Sequence, residues 1–198
     1  MDLSALTADL PELFLLGITG PPGVGKSTFA AALAERTHAT VVPMDGFHLP
    51  DAELHRRGLL DRKGAPETFD ALAYAALLGE LRAHPRPPVP APGFDRELEE
   101  PVARAVTVPV GPVVTEGNYL LLDFPEWRAV RAHLDRVWHL TCDPEVRRER
   151  LVARHVQFGK TPAQARAWVK RVDEPNAALV EAAAAAADRV VDVTCWTA

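Results

Sequence analysis

Short apolar runs alternate with longer amphipathic stretches along this chain, and the alternation predicts strands and helices in turn. Phe14–Thr19, Thr40–Met44, Pro112–Thr115, Arg136–Thr141 and Arg189–Val193 are short and rich in Val, Leu and Ile, as strands buried on both faces require. Helical segments separate them. Ser27 to Glu35 reads as one helix, and Phe69 to Ala83 as another, with Tyr74, Leu77, Leu78 and Leu81 at helical spacing. Asp143 before Pro144, and Thr161 before Pro162, each pair a capping residue with proline at the first helical position. The order predicts an α/β fold, a three-layer sandwich whose mainly parallel five-stranded sheet carries helices on both faces.

Two biased stretches modify this outline. His84 to Gly93 holds five prolines, but core strands follow it, so a stiff extended connection within one domain is expected rather than a linker. The six alanines from Ala182 predict a packed terminal helix, because alanine is the best helix former. No internal repeat is present, and 198 residues suit one domain spanning 1–198.

The first strand leads into Gly20-Pro21-Pro22-Gly23-Val24-Gly25-Lys26-Ser27, and a helix follows. This fits the phosphate-binding loop pattern G-x-x-x-x-G-K-[ST] at every specified position. Glycines at 20, 23 and 25 let backbone N–H groups converge on a polyphosphate. Lys26 can reach the β- and γ-phosphates, Ser27 can ligand Mg²⁺, and the helix start at Ser27 and Thr28 adds a favourable field. The loop predicts a site for a nucleoside triphosphate.

Ligands of open α/β sheets gather at the carboxyl ends of the strands, so residues just past each strand are the next candidates. Asp45-Gly46-Phe47-His48 follows the second, and Glu116-Gly117-Asn118-Tyr119 the third. Asp45 could take a proton from a substrate hydroxyl, or could cap the turn before Gly46. Glu116 could hold Mg²⁺, directly or through water, or act as a second base. Phe47, His48, Phe94, Arg96 and Tyr119 could build a substrate pocket, with Arg96 suited to an anionic group. His48 and His55 flank a loop, where histidines are usually solvated, and no residue set has zinc spacing.

Charge narrows the partners. A formal charge of −5 argues against nucleic acid, whose phosphates reward net positive charge. The basic residues Arg147, Arg148, Arg150, Arg154, Lys160, Arg166, Lys170 and Arg171 nonetheless crowd one stretch that carries only Glu145 and Glu149. That surplus favours a lid closing on a small anion over a solvated helix face. Cys142 and Cys195 follow β-like runs and are expected to be buried reduced thiols. With no signal peptide or membrane span visible in the sequence, a cytoplasmic location is expected.

Taken together, these pieces resemble the P-loop kinases that include uridine kinase, bacterial pantothenate kinase and phosphoribulokinase. The resemblance runs from Gly20 to about Leu179. It is carried by Met44-Asp45-Gly46-Phe47-His48, by Lys63-Gly64-Ala65-Pro66-Glu67-Thr68-Phe69-Asp70, by Phe94-Asp95-Arg96 and by Val114-Thr115-Glu116-Gly117. The closest similarity is to a bacterial subgroup described as nucleoside/nucleotide kinase-like or sugar-transport-associated kinases. Arg96 stands where uridine kinases carry an aromatic, and the pantothenate-type Tyr-Ser-His is absent.

The resemblance implies a P-loop NTPase fold with a helical lid at approximately 147–172, ATP and Mg²⁺ as cofactors, and transfer of the γ-phosphoryl group to a hydroxyl of a nucleoside, a sugar or a pantothenate-like metabolite. It implies Lys26, Asp45 and the lid arginines Arg150 and Arg154 as catalytic residues, and Asn176 as a substrate contact. It admits a homo-oligomer. The alternative is a nucleotide-dependent switch or regulatory module without a small-molecule acceptor; a switch would need a guanine-specifying Asn-Lys-x-Asp, which does not occur.

Overall fold

All five apolar runs become strands of a single parallel sheet. The structure is a computed structural model and describes residues 3–83, 86–95 and 97–196. Its strands are β1 (Leu15–Thr19), β2 (Thr40–Pro43), β3 (Val89–Asp95), β4 (Glu100–Val108), β5 (Val113–Glu116), β6 (Arg136–Thr141) and β7 (Arg189–Asp192). The large sheet has the order β2-β5-β1-β6-β7. Its helices are α1 (Leu3–Thr7), α2 (Lys26–Thr37), α3 (Asp51–Arg57), α4 (Ala71–Arg82), α5 (Pro125–Arg131), α6 (Pro144–Gln157), α7 (Pro162–Trp168) and α8 (Glu174–Ala182). A π-helical turn, Val169–Asp173, joins α7 to α8.

Burial on both sides of β1 explains the near-continuous apolar strands. Every β1 residue is buried. Leu15 joins one core with Tyr74 and Leu78 of α4 and Trp127 of α5. Leu16 and Ile18 point the other way, into a core with Phe29 and Leu33 of α2 and Trp138 and Leu140 of β6. The three layers are therefore helices, sheet, helices. The caps hold as well. The Asp143 side chain accepts from the amides of Glu145 and Val146, and Thr161 forms a capping box with Gln164.

Three expectations are corrected. The proline-rich stretch is extended, but it is not a mere connection: β3 pairs antiparallel with β4 in a hairpin that was not expected. Prolines survive because β3 is paired on one side only, with a bulge between Ala91 and Gly93. His84 and Pro85 lie outside the described residues. The alanine run does not make a terminal helix: α8 stops at Ala182, and Ala184–Ala186 forms a single 3₁₀ turn. Tertiary demand overrides propensity there, because the chain must turn into β7, where Asp188 accepts from the Val137 amide at 2.7 Å and donates its own amide to the Val137 carbonyl at 2.9 Å. Cys142 is half-buried, whereas Cys195 is exposed instead of buried; both are free thiols. Among the described residues no helix is long and apolar enough to cross a membrane.

Candidate active site

Parallel register brings three strand ends together. Glu116 of β5 lies opposite Ile18 of β1 on one side and Pro43 of β2 on the other. The loop after β1, the turn after β2 and the end of β5 therefore open at one edge of the sheet, as the topology requires.

The loop itself is shaped by close approach. Gly20 has φ 149°, and a Cβ there would sit 2.5 Å from the Leu140 carbonyl oxygen. Gly23 has φ 82°, and its Cβ would sit 2.6 Å from Leu151 Cγ and 3.0 Å from the Arg147 carbonyl oxygen. Only glycine fits either position. Val24 is buried beneath the loop, its carbonyl accepting from Arg150 Nη1 at 3.4 Å. Lys26 arches back, donating from Nζ to the carbonyls of Gly20 at 3.0 Å and Pro21 at 3.2 Å. Gly23, Gly25, Lys26, Ser27 and Thr28 line a cavity of about 270 Å³ that Arg150 and Arg154 close. Loop amides and three cations around one cavity fit a polyphosphate.

A second cavity, of about 310 Å³, adjoins it, and Lys26, Ser27, Asp45, Glu116 and Arg154 all line it. The Ser27 hydroxyl donates to Glu116 Oε1 at 2.9 Å. A hydroxyl beside a carboxylate suits Mg²⁺, which takes few protein oxygens and completes its shell with water and phosphate. Among the described residues no cluster of three or more His, Cys, Asp or Glu side chains could hold a metal by itself. Asp45 sits in the 3₁₀ turn Met44–Phe47. Its backbone carbonyl accepts from the His48 amide and contacts His48 Nδ1 at 3.0 Å.

His48 stacks between two rings, Phe69 at 3.9 Å and Phe94 at 4.9 Å between centroids. Burial lowers its pKa, although the adjacent Asp45 pulls the other way, so the imidazole favours its neutral form. A backbone bridge joins His48 to Phe69, which docks residues 63–70 against the turn after β2. Phe94 and Asn176 also line this cavity. Asn176 Nδ2 donates to the Gly64 carbonyl at 3.3 Å.

Two substrate candidates are not in the cavity. Phe47 is buried against Tyr74, with ring centroids 4.7 Å apart. Tyr119 is fully buried, packs edge-on to Phe69 and Trp127, and donates its hydroxyl to the Gly64 carbonyl. It shapes the wall from behind. In both cases one residue on a tight turn faces the cleft and its neighbour faces the core. Arg96 lies outside the described residues, and His55 is exposed on α3, away from the cleft.

Further residues line the cavity without a role assigned from the sequence. Lys63 reaches Asp51 at 2.6 Å and the Glu99 carbonyl. His155 Nε2 lies 2.8 Å from Asp173 Oδ2, and Trp168 completes that wall. Behind the loop, His139 of β6 is buried, and its Nδ1 has no hydrogen-bond partner among the described residues. Burial, with the Lys26 charge nearby, lowers its pKa. Arg147, counted in the basic stretch, is a structural brace: it is buried, donating to the Pro22 carbonyl at 3.3 Å and to Glu174.

A family model described as an AAA domain matches residues 16–167. The chain is 35% identical over 184 residues to the uncharacterized protein YggC of Escherichia coli strain K12, covering 89% of this chain and 76% of that one. It is 33% identical over 182 residues to a provisionally assigned uridine kinase of Schizosaccharomyces pombe, with 84% and 77% of the two chains covered. A solved structure from Silicibacter sp. TM1040, provisionally assigned as a fructose transport system kinase, superposes with a TM-score of 0.87 at 37% identity, covering 96% of this chain and 99% of the other.

Proposed function

We infer the reaction from membership: the chain belongs to the AAA-domain P-loop proteins, in the kinase group that includes uridine kinase and bacterial pantothenate kinase, and it transfers the γ-phosphoryl group of ATP to a hydroxyl of a small metabolite. The observation that supports particular residues is the shared cavity: Lys26, Ser27, Glu116 and Asp45, from three strand ends, face one space of about 310 Å³.

In this reading the loop amides and Lys26 hold the β- and γ-phosphates and stabilise the charge of the transferring group. Ser27 and Glu116 hold Mg²⁺, for which their hydrogen-bonded oxygens are suited. Mg²⁺, when bound, neutralises the phosphate oxygens. The Asp45 carboxylate orients the acceptor hydroxyl and takes its proton as the oxygen attacks phosphorus. Arg154 lines both cavities and Arg150 the nucleotide side, so both offset charge over the phosphates from a lid of approximately 147–172. His48, Phe94 and Asn176 bound the acceptor side. The acceptor is a nucleoside, a sugar or a pantothenate-like compound. The chain works as a single kinase domain over 1–198, in the cytoplasm, without nucleic acid or membrane.

ATP consumption with Mg²⁺ is the test, against nucleosides, pantothenate, sugars and sugar phosphates. One acceptor should raise turnover in the wild type, and Asp45→Asn should cut that rate by about 10²–10⁴, the range for a positioned base. Acceptor-independent hydrolysis, equal in both proteins, would overturn the assignment.

A further inference from the structure

The lid is not held evenly. The first half of α6 is bolted to the phosphate loop: Leu151 is fully buried against Gly23, and Arg147 bridges the Pro22 carbonyl to Glu174. Past Leu151 the anchoring thins, with Val152 and His155 only half-buried. None of residues 152–157 is buried, yet this stretch carries Arg154, the arginine that lines both cavities. A helix end without buried apolar contacts frays readily. Among the described residues, this end makes one side-chain hydrogen bond to the rest of the protein, from His155 Nε2 to Asp173 Oδ2 at 2.8 Å. Just past the helix, Lys160 rests over the Trp168 ring at 5.0 Å.

Asp173 is well placed for this. It is buried, and it closes the π-helical turn between α7 and α8. Turns of this kind are frequent at functional sites. Three residues beyond it, Asn176 bonds the Gly64 carbonyl in the cavity wall. A carboxylate only accepts, so Nε2 carries the proton in this pair, and the bond joins the sparsely buried helix end to a buried residue beside the cleft.

We propose that His155 and Asp173 form a latch that fixes the last turn of α6 and so holds Arg154 over the cleft, both acting as positioning residues for phosphoryl transfer. The catalytic half of this inference rests on the kinase reading above; the structural half does not.

Hydrogen exchange on the unliganded full chain tests the structural half. The amides of Phe158 and Lys160 close the helix end onto the carbonyls of Arg154 and His155. In His155→Ala they should exchange about 10-fold faster, the scale of one hydrogen bond to a charged group. Amides at 147–151 should be unaffected. Asp173→Asn should show the same pattern, and His155→Gln, which keeps a donor, should recover part of the protection. Wild-type exchange at 158–160 in both His155→Ala and Asp173→Asn would overturn the latch.

The catalytic half is read in an acceptor-dependent assay. His155→Ala should lower kcat about 10-fold with little change in the KM for ATP or acceptor, and should add no further loss to Arg154→Ala. An equal loss with or without Arg154 would overturn the positioning role. A wild type that phosphorylates no acceptor would instead sink the kinase reading, while the exchange result still decides the latch.

Discussion

Ser27 and Glu116, 89 positions apart in the chain, meet through a 2.9 Å hydrogen bond in which the serine hydroxyl donates to Oε1. The bond spans the first turn of α2 and the end of β5, and it sets two hard oxygen atoms side by side where the phosphate loop opens.

Glu116→Gln keeps an acceptor for Ser27 but removes the charge. The Mg²⁺ concentration giving half-maximal rate should rise about 10-fold or more, the lower end of losses seen when a metal site is disturbed. Rate against Mg²⁺ at saturating ATP is the measurement; an unshifted curve would separate Glu116 from the metal.

Lys26→Ala should lower kcat by about 10²–10³, the scale for removing one preorganised charge stabiliser. Circular dichroism should be unchanged, which would place the loss in the chemistry and not in the fold. Near wild-type turnover would count against the assignment.

Gly23→Ala should weaken both the fold and nucleotide binding. The new methyl would press on Leu151 and the Arg147 carbonyl at a φ that side chains rarely adopt. A loss of about 1–3 kcal/mol is expected from overpacking, read as a lower urea midpoint. The same variant should bind a fluorescent ATP analogue more weakly than wild type.

Stability should fall on acidification. His48 and His139 both have folded pKa values below the ordinary 6.5 because burial disfavours the charged ring. The unfolded chain therefore binds more protons, and stability present above pH 6.5 is lost as pH drops through the folded values. Urea midpoints from pH 7.5 to about pH 5 would show the slope. His139→Leu should flatten it, whatever its effect on stability at neutral pH.

The parts legible in the sequence share a physical cause. The phosphate loop is contiguous, so its glycines, lysine and serine announce themselves together. The position of Asp45 and Glu116 at the cleft was legible because both follow or end strands of a parallel sheet, whose carboxyl ends open at one edge. The hairpin was not, because prolines at 90 and 92 hide the period-two signal of β3. Phe47 ends the 3₁₀ turn and His48 follows it, and only packing against Tyr74 decides which faces the core. His155 and Asp173 lie 18 positions apart in different elements, so nothing local joins them before the lid folds.

The hairpin also divides the cleft between two parts of the chain. Phe94 and Glu99 come from β3 and the turn after it, and Asp45, His48, Asp51 and Lys63 from the stretch just before. One side of the cavity thus comes from a single stretch between β2 and β5, laid against a frame made of the phosphate loop, the sheet and α6. Changes in that stretch can therefore reshape one side of the cleft while the loop, β1 and the arginines of α6 stay as they are.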